Sequence, residues 1–155
     1  MNMQIKSDTL HDTVLELVSF IIGGEIYALE IKSIREIIKV NEYTRVPNTP
    51  SFIKGVINLR GKVIPIIDMR KKLNLHDIDY DKNTRIIILE YMSVIVGIIV
   101  DGVREVLRLN DSLTEPPPLL TKDGTSDYIS AIGKLEDKLI NILNLDYLLN
   151  KEQDI

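Results

Sequence analysis

The chain carries one pattern twice, and that duplication limits what it can fold into. Phe52–Leu73 aligns without a gap on Tyr128–Leu149 at an offset of 76. Six of the twenty-two positions are identical: Ile53/Ile129, Leu59/Leu135, Lys62/Lys138, Ile64/Ile140, Ile66/Ile142 and Leu73/Leu149. Upstream, Leu17–Val40 aligns with Ile86–Leu109 at an offset of 69, and Arg35-Glu36 falls on Arg104-Glu105. The offsets differ by seven residues, so one insertion near Pro116–Ser126 reconciles them. Two windows repeated in the same order predict a pair of similar small modules.

Each module is short. Halves of about 65–70 residues are marginal alone, so they are expected to share core or pack tightly on each other. With 19 basic and 23 acidic residues the net charge is −4, which argues against a nucleic-acid backbone as the main partner. Cysteine is absent, so there is no disulfide, thiol nucleophile or Cys-ligated metal, as suits a reducing cytoplasm. The N-terminus lacks the apolar core of a signal peptide, and no apolar run reaches membrane-spanning length. A soluble cytoplasmic protein is expected, with residues 1–14 as a flexible tail.

Turn chemistry divides each half into about five short strands. Gly23-Gly24 suits a tight hairpin between Leu15–Ile22 and Ile26–Ile31. In IREIIKV, Ile34 and Glu36 are expected on one strand face, Arg35 and Ile37 on the other. The Arg60-Gly61-Lys62 turn joins Val56–Leu59 to Val63–Ile67, where Pro65 predicts an edge or a bulge. Asp68 is expected to cap a short helix, and Asn144 to cap its copy. The period-two pairs Ile64/Ile66 and Ile140/Ile142 are expected to fill the barrels. Short, regularly spaced strands with Gly/Pro turns are the signature of small barrels.

Catalytic and metal motifs fail on spacing. Gly55 to Gly61 has five intervening residues where a phosphate loop needs four, and Val63 follows the lysine. Asp77-Ile78-Asp79-Tyr80-Asp81 imitates an EF-hand start, but Lys82 and Ile88 stand where Gly and Glu are required. His11 and His76 have no nucleophile context. Asp68 reads as a cap and Asp101 as a turn residue beside Gly102. What remains is surface suited to protein contact. Ile34 and Glu36 are the sharpest candidates in the first half, with Val103, Val106 and Leu107 as counterparts. Glu36 stands out because a charge on an inward face needs a partner or water. The copy carries Glu136 where Arg60 stands, so the fold does not itself require Arg60.

FIKGVINLRGKVIPIIDMR at 52–70 resembles the signature segment of the bacterial chemotaxis coupling proteins, the CheW family. So do VPNTP at 46–50, GIIVDGVREVL at 97–107, EPPP at 115–118 and YISAIG at 128–133. The resemblance runs from about Leu15 to Leu149. It implies a mainly β fold, two tandem five-stranded SH3-like barrels packed together, with a short helix after each half. On that basis residues 15–150 form one domain, with barrel subdomains at about 15–80 and 84–150. It also implies a non-catalytic adaptor with no cofactor. That adaptor would join the regulatory domain of the histidine kinase CheA to the cytoplasmic tips of methyl-accepting chemoreceptors, associating with membrane-bound arrays through protein contacts.

By the same resemblance Ile34, Glu36, Arg60, Gly97, Val103 and Val106 are expected to meet the receptor, in a groove between the modules. Val40, Tyr43, Thr44 and Gly55 are expected at the kinase-facing edge. The chain has no room for a phosphotransfer helix or a receiver domain, so a stand-alone adaptor is favoured over the same module inside a larger protein. Met69 and Ala131 depart from the family's usual Leu and Gly, outside the implied surfaces. An enzyme on a duplicated barrel would need a polar pocket. A nucleic-acid-binding tandem barrel would need a basic stripe with aromatics.

Overall fold

The computed structural model describes residues 13–117 and 125–149. Most of the expected N-terminal tail, the insertion from Pro118 to Gly124, and residue 150 lie outside the described residues. Eleven strands and two single-turn α-helices follow in order. They are β1 (Val14–Ile22), β2 (Glu25–Glu30), β3 (Ile34–Lys39), β4 (Ile53–Leu59), β5 (Lys62–Asp68), α1 (Met69–Lys72) and β6 (Arg85–Tyr91). Then come β7 (Val94–Val100), β8 (Gly102–Asn110), β9 (Thr114–Glu115), β10 (Ile129–Leu135), β11 (Lys138–Leu143) and α2 (Leu145–Leu148). The fold is mainly β, as expected.

Local chemistry accounts for the joints. Four hairpins turn on two residues with positive φ: Gly23-Gly24, Arg60-Gly61, Met92-Ser93 and Glu136-Asp137. That geometry matches the twist of the flanking strands. Asp68 Oδ1 accepts from the N–H groups of Arg70 (3.0 Å) and Lys71 (3.4 Å), which caps α1. Asn144 Oδ1 accepts from the Tyr147 N–H at 3.1 Å and caps α2. Both caps were legible from the repeat.

Strand order repeats, but the strands of the two halves are interleaved. Sheet one runs β8-β1-β2-β11-β10-β9 and sheet two β3-β6-β7-β5-β4. Each sheet therefore joins the first two strands of one half to the later strands of the other, β8 to β11 in sheet one and β3 to β5 in sheet two. In each sheet the halves are joined twice: by an antiparallel ladder, β1–β8 in sheet one and β3–β6 in sheet two, and by a short parallel ladder, Ile142↔Ala28 in sheet one and Ile66↔Gly97 in sheet two, at equivalent positions of the repeat. The expected division at residues 80–84 is not the one the sheets make. Sheet two is contiguous, from β3 to β7, and lies within a sheet one drawn from both ends of the domain. The reason is burial. A half alone would leave the β2 or β7 edge open, and crossing over covers it.

Neither sheet closes by a ladder between its edge strands. In sheet two the chain leaving β3 returns beside β4 at the single bridge Thr44↔Val56. In sheet one, β9 does the same beside β10. Pro65 was expected at an edge or bulge, yet β5 lies inside its sheet. Its ladder with β7 begins only at Ile66, so the missing N–H falls where that side is unpaired.

Three apolar clusters result. Ile64, Ile66, Ile86, Ile88 and Ile99 fill barrel two. Leu17, Ala28, Leu109, Ile140 and Ile142 fill barrel one. Between them lies a larger shared centre that includes Phe20, Leu29, Ile87, Leu89, Ile98 and Leu148. Strand β6 explains why its run is continuously apolar. Ile86 and Ile88 face the barrel, while Ile87 and Leu89 face the shared centre.

Candidate interaction surfaces

The structure brings Val40, Tyr43, Thr44 and Gly55 together. Thr44 and Val56 exchange backbone hydrogen bonds at 2.9 and 2.8 Å, which lays the 40–44 segment along the start of β4. A Cβ on Gly55 would stand 2.5 Å from the Thr44 carbonyl oxygen and 2.9 Å from the Tyr43 ring. Only glycine allows that approach. Val40 packs on the barrel-two core. Tyr80, from the inter-barrel linker, lies near Tyr43. The Lys54 ammonium lies 5.5 Å from the Tyr80 ring centroid. Burial raises the Tyr80 pKa, helped by Tyr43, Asp68 and Asp77. The sheet edge at β4 is thus braced by the 43–44 backbone and carries two tyrosines, Tyr43 and Tyr80.

The six expected receptor-facing residues are placed less uniformly. Glu36 and Arg60 meet: Arg60 Nη2 donates to Glu36 Oε2. Arg60 holds φ +50 in its turn, and its side chain is 72% exposed against 28% for Glu36. Arg60 is therefore not a free turn tip but half of an ion pair within the chain. Ile34 and Val103, equivalent in the repeat, are half-buried against the shared centre. Val106 is 58% exposed on β8.

Gly97 departs from expectation. It is buried in barrel two, where a Cβ would come 2.7 Å from Ile66 Cδ1 and 2.8 Å from Ile86 Cγ2. It presents no side-chain surface to a partner. Pairing puts Glu36, Ile88, Gly97, Ile66 and Gly55 in one row across all five strands. Gly97 accordingly sits between the two candidate surfaces rather than on either.

Sequence reasoning missed the residues that hold the barrels together. Arg70, just past the α1 cap, donates from Nε to Asp101 Oδ1 (3.1 Å) and from Nη2 to Asp101 Oδ2 (2.7 Å). Its Nη1 also donates to the His76 carbonyl at 2.8 Å. Asp101 Oδ2 further accepts from the Gly23 N–H at 2.8 Å, in the β1–β2 turn of barrel one. Asp101 was read as a turn residue and is an inter-barrel clasp. The Arg70 pKa is raised, chiefly by its hydrogen bonds to Asp101. Tyr91 of sheet two makes a second link, donating to Asp146 Oδ1 in α2 at 2.6 Å. Lys72 is buried with its ammonium 3.6 Å from the Phe52 ring centroid and 5.7 Å from that of Tyr128, two residues equivalent in the repeat. The one available signal was the repeat's asymmetry, with Arg70 facing Asp146 and Lys72 facing Leu148.

Asp68 and Asp101, the carboxylates weighed for acid–base work, are both occupied structurally. Among the described residues no three His, Cys, Asp or Glu side chains cluster to hold a metal, and no helix is long and apolar enough to cross a membrane. Apart from Gly97, the candidate residues lie on the edge strands β3, β4 and β8, in the segment beside β4 and at the β4–β5 turn of a tandem-barrel module, where other proteins can reach them.

Comparison with known proteins makes that class specific. Residues 16–153 match the family model of the CheW-like domain. The chain is 38% identical over 138 residues to the chemotaxis protein CheW of Klebsiella aerogenes, spanning 89% of this chain and 83% of that one. It is 39% identical over 137 residues to CheW of Bacillus subtilis, spanning 88% of both. The crystal structure of the scaffolding protein TtCheW from Thermoanaerobacter tengcongensis matches with a TM-score of 0.81 at 37% identity, over 89% of this chain and 94% of that one. The chain belongs to the CheW family of chemotaxis scaffold proteins.

Proposed function

We propose that the chain is a non-catalytic adaptor that couples methyl-accepting chemoreceptors to the histidine kinase CheA at cytoplasmic receptor arrays. One observation carries this reading: the two candidate surfaces fall at opposite ends of one rigid strand. Gly55, with the 40–44 segment against it, lies near the start of β4, and Arg60 with Glu36 stands at the turn that follows its end. Four residues of extended chain lie between Gly55 and Arg60, which spaces them about 16 Å apart. Two partners can therefore be held without competing for the same residues. On this reading the kinase's regulatory domain takes the braced β4 edge. The receptor tip takes the Glu36–Arg60 end and the seam between edge strands β3 and β8, where Ile34, Val103 and Val106 lie.

The test is reconstitution of a ternary complex from the full chain, a soluble receptor-tip fragment and the kinase's regulatory domain. Simultaneous binding is expected. Gly55→Leu should weaken the kinase and spare the receptor, because a side chain there must displace the Thr44 carbonyl. Mutually exclusive binding of the two partners would sink the reading.

A further inference from the structure

A groove of 610 Å³ opens beside α2 in barrel one, and none of the ten candidate residues of the adaptor reading lines it. Its floor is apolar, with Leu29, Ile142 and Leu145 buried there. Three carboxylates, of Glu30, Asp111 and Asp146, also line it.

The repeat supplies a counterpart. In barrel two a smaller cavity, of 210 Å³, is lined by Asp77, Ile78, Asp79 and Tyr80 of the inter-barrel linker and by six other residues. All six fall on residues lining the barrel-one groove. At the offset of 69, Thr84, Ile99 and Asp101 correspond to Leu15, Glu30 and Lys32. At the offset of 76, Lys54, Asp68 and Arg70 correspond to Ser130, Asn144 and Asp146. One site is therefore built twice. In barrel two a segment of the chain lies in it, and in barrel one that segment has no counterpart among the described lining residues.

The contacts to the linker show what chemistry the site uses. Arg70 Nη1 donates to the His76 carbonyl at 2.8 Å, and the Lys71 ammonium lies 3.6 Å from Asp77 Oδ2. Lys54 lies over the Tyr80 ring. A cationic wall thus receives an acidic segment. In barrel one the three positions carry Asp146, Tyr147 and Ser130, and the wall changes sign. Asp146 accepts from the neutral Tyr91 hydroxyl, and Asp111 has no ion-pair partner among the described residues. Glu30 has Lys32 at 3.8 Å, but that lysine is 77% exposed. Ser33 marks the same place. It is only 7% exposed, lines the groove and makes no side-chain hydrogen bond within the described fold. Buried polar groups generally have partners, so an open hydroxyl at a groove is a contact for whatever enters it. The chain's own residues 151–155 are a poor match, since they bring two carboxylates against one lysine.

We propose that this groove binds a short basic segment of a partner protein. Aliphatic and aromatic side chains of that segment rest on Leu29, Ile142 and Leu145, as Ile78 and Tyr80 line the site in barrel two. Its cations meet Glu30, Asp111 and Asp146, and Ser33 pairs with its backbone. The proposal does not depend on the adaptor reading. Charge gives the groove its selectivity, and that selectivity is screened by salt.

The experiment is titration of two synthetic peptides into the isotopically labelled full chain, followed by amide chemical shifts at low and high salt. One peptide copies linker residues 75–82, and the other has lysine in place of Asp77, Asp79 and Asp81. The lysine peptide should bind saturably, shift Glu30, Ser33 and Leu145, and weaken at high salt. The acidic copy should not bind. Glu30→Lys should weaken the lysine peptide by roughly fivefold at low salt and melt near wild type, because its pair with Lys32 is exposed. Ser33→Ala gives up no side-chain bond within the described fold and should also weaken binding. Glu25→Lys, at the other end of β2 and outside the groove, is the charge-matched control and should bind as wild type does. A chain shortened to Leu149 should keep its affinity. No binding by wild type, equal binding of the two peptides, or shifts confined to other surfaces would overturn the proposal. So would unchanged binding by Glu30→Lys or Ser33→Ala, or equal losses from Glu30→Lys and Glu25→Lys. A gain in affinity on shortening would assign the groove to the chain's own C-terminal residues and overturn it as well. None of these outcomes touches the adaptor reading, which the ternary complex tests.

Discussion

Arg70 and Asp101 face each other through two parallel N–H···O bonds, of 3.1 and 2.7 Å, across the junction of the two barrels. Their side chains are only 17% and 21% exposed. Asp101 also receives the Gly23 N–H, and its own N–H donates to the Ile21 carbonyl at 2.9 Å. One carboxylate thus joins α1, the β7–β8 junction and the β1–β2 turn.

Removing either partner should therefore be costly. Arg70→Leu or Asp101→Leu alone is expected to lose about 2–3 kcal/mol, read from denaturant midpoints, since a partly buried charge is left without its hydrogen bonds. The double variant should lose less than the sum of the singles. Strict additivity would show that the two side chains contribute independently.

Interleaving makes a second prediction. Because each sheet takes strands from both halves and a shared centre lies between them, wild type should unfold in one cooperative transition. Ile66→Ala and Ile142→Ala, in different barrels, should each lower that single midpoint, for a stability loss of about 2–5 kcal/mol. A fragment spanning residues 33–101 contains all of sheet two and should retain more strand signal by circular dichroism than a fragment spanning 13–80. Two resolved transitions, or a better-folded 13–80 fragment, would refute the interleaving.

Element order, turn positions, helix caps and the isoleucines at 64, 66, 140 and 142 were legible because each depends on local chemistry or on the repeat. The exchange of strands was not. It hangs on the parallel pairs Ile66↔Gly97 and Ile142↔Ala28 and on the β1–β8 and β3–β6 ladders, contacts between segments far apart in sequence with no local marker. Asp101-Gly102 looks like any turn, and only packing shows that its carboxylate points at Arg70. Gly97 misled for a related reason. A glycine in a strand signals close approach, but what approaches it, here Ile66 and Ile86, is a property of the fold.

Two tyrosines, Tyr27 in the core and the partly exposed Tyr80, give a pH dependence. Burial, with Glu25 second, raises the Tyr27 phenol above its ordinary 10.0, and Tyr80 is raised by burial and its neighbours. Below about pH 10 the phenols are protonated in both folded and unfolded chains and contribute no slope. Above it the unfolded chain releases protons that the folded chain retains. The folded state then binds more protons than the unfolded one, so stability falls as pH rises through this range. Urea midpoints at pH 9 and 10.5 should drop in wild type and drop less in Tyr27→Phe. Equal drops would place the alkaline loss elsewhere.

Gly97→Ala separates packing from contact. The equivalent residue in the other barrel is Ala28, fully buried, so the architecture accommodates a methyl when its neighbours are arranged for one. At Gly97 the methyl would meet Ile66 and Ile86 below 3 Å. A loss of about 1–3 kcal/mol is expected from overpacking. Any fall in receptor binding should be recovered when Ile66→Val makes room. Weakened binding with an unchanged denaturant midpoint would instead return Gly97 to the contact surface.

Arg60 tests whether the Glu36 ion pair serves stability or recognition. With 72% of its side chain exposed, the pair should contribute little, since exposed pairs are worth about 0.2–1 kcal/mol. The copy supports this: Glu136 holds the same turn with φ +49, so the hairpin forms without an arginine. Arg60→Ala should therefore melt near wild type. What it removes is a guanidinium held in place by Glu36 and otherwise open to a carboxylate or to helix C-terminal carbonyls of a partner. Receptor binding should weaken, while binding to the isolated kinase regulatory domain, at the far end of β4, should change little. Glu36→Gln should weaken receptor binding less than Arg60→Ala, because the guanidinium remains and only its orientation is loosened. The exchange variant, Glu36→Arg with Arg60→Glu, should keep wild-type stability but not recognition. Recovery of receptor affinity in that exchange would show that the pair acts only by holding the fold.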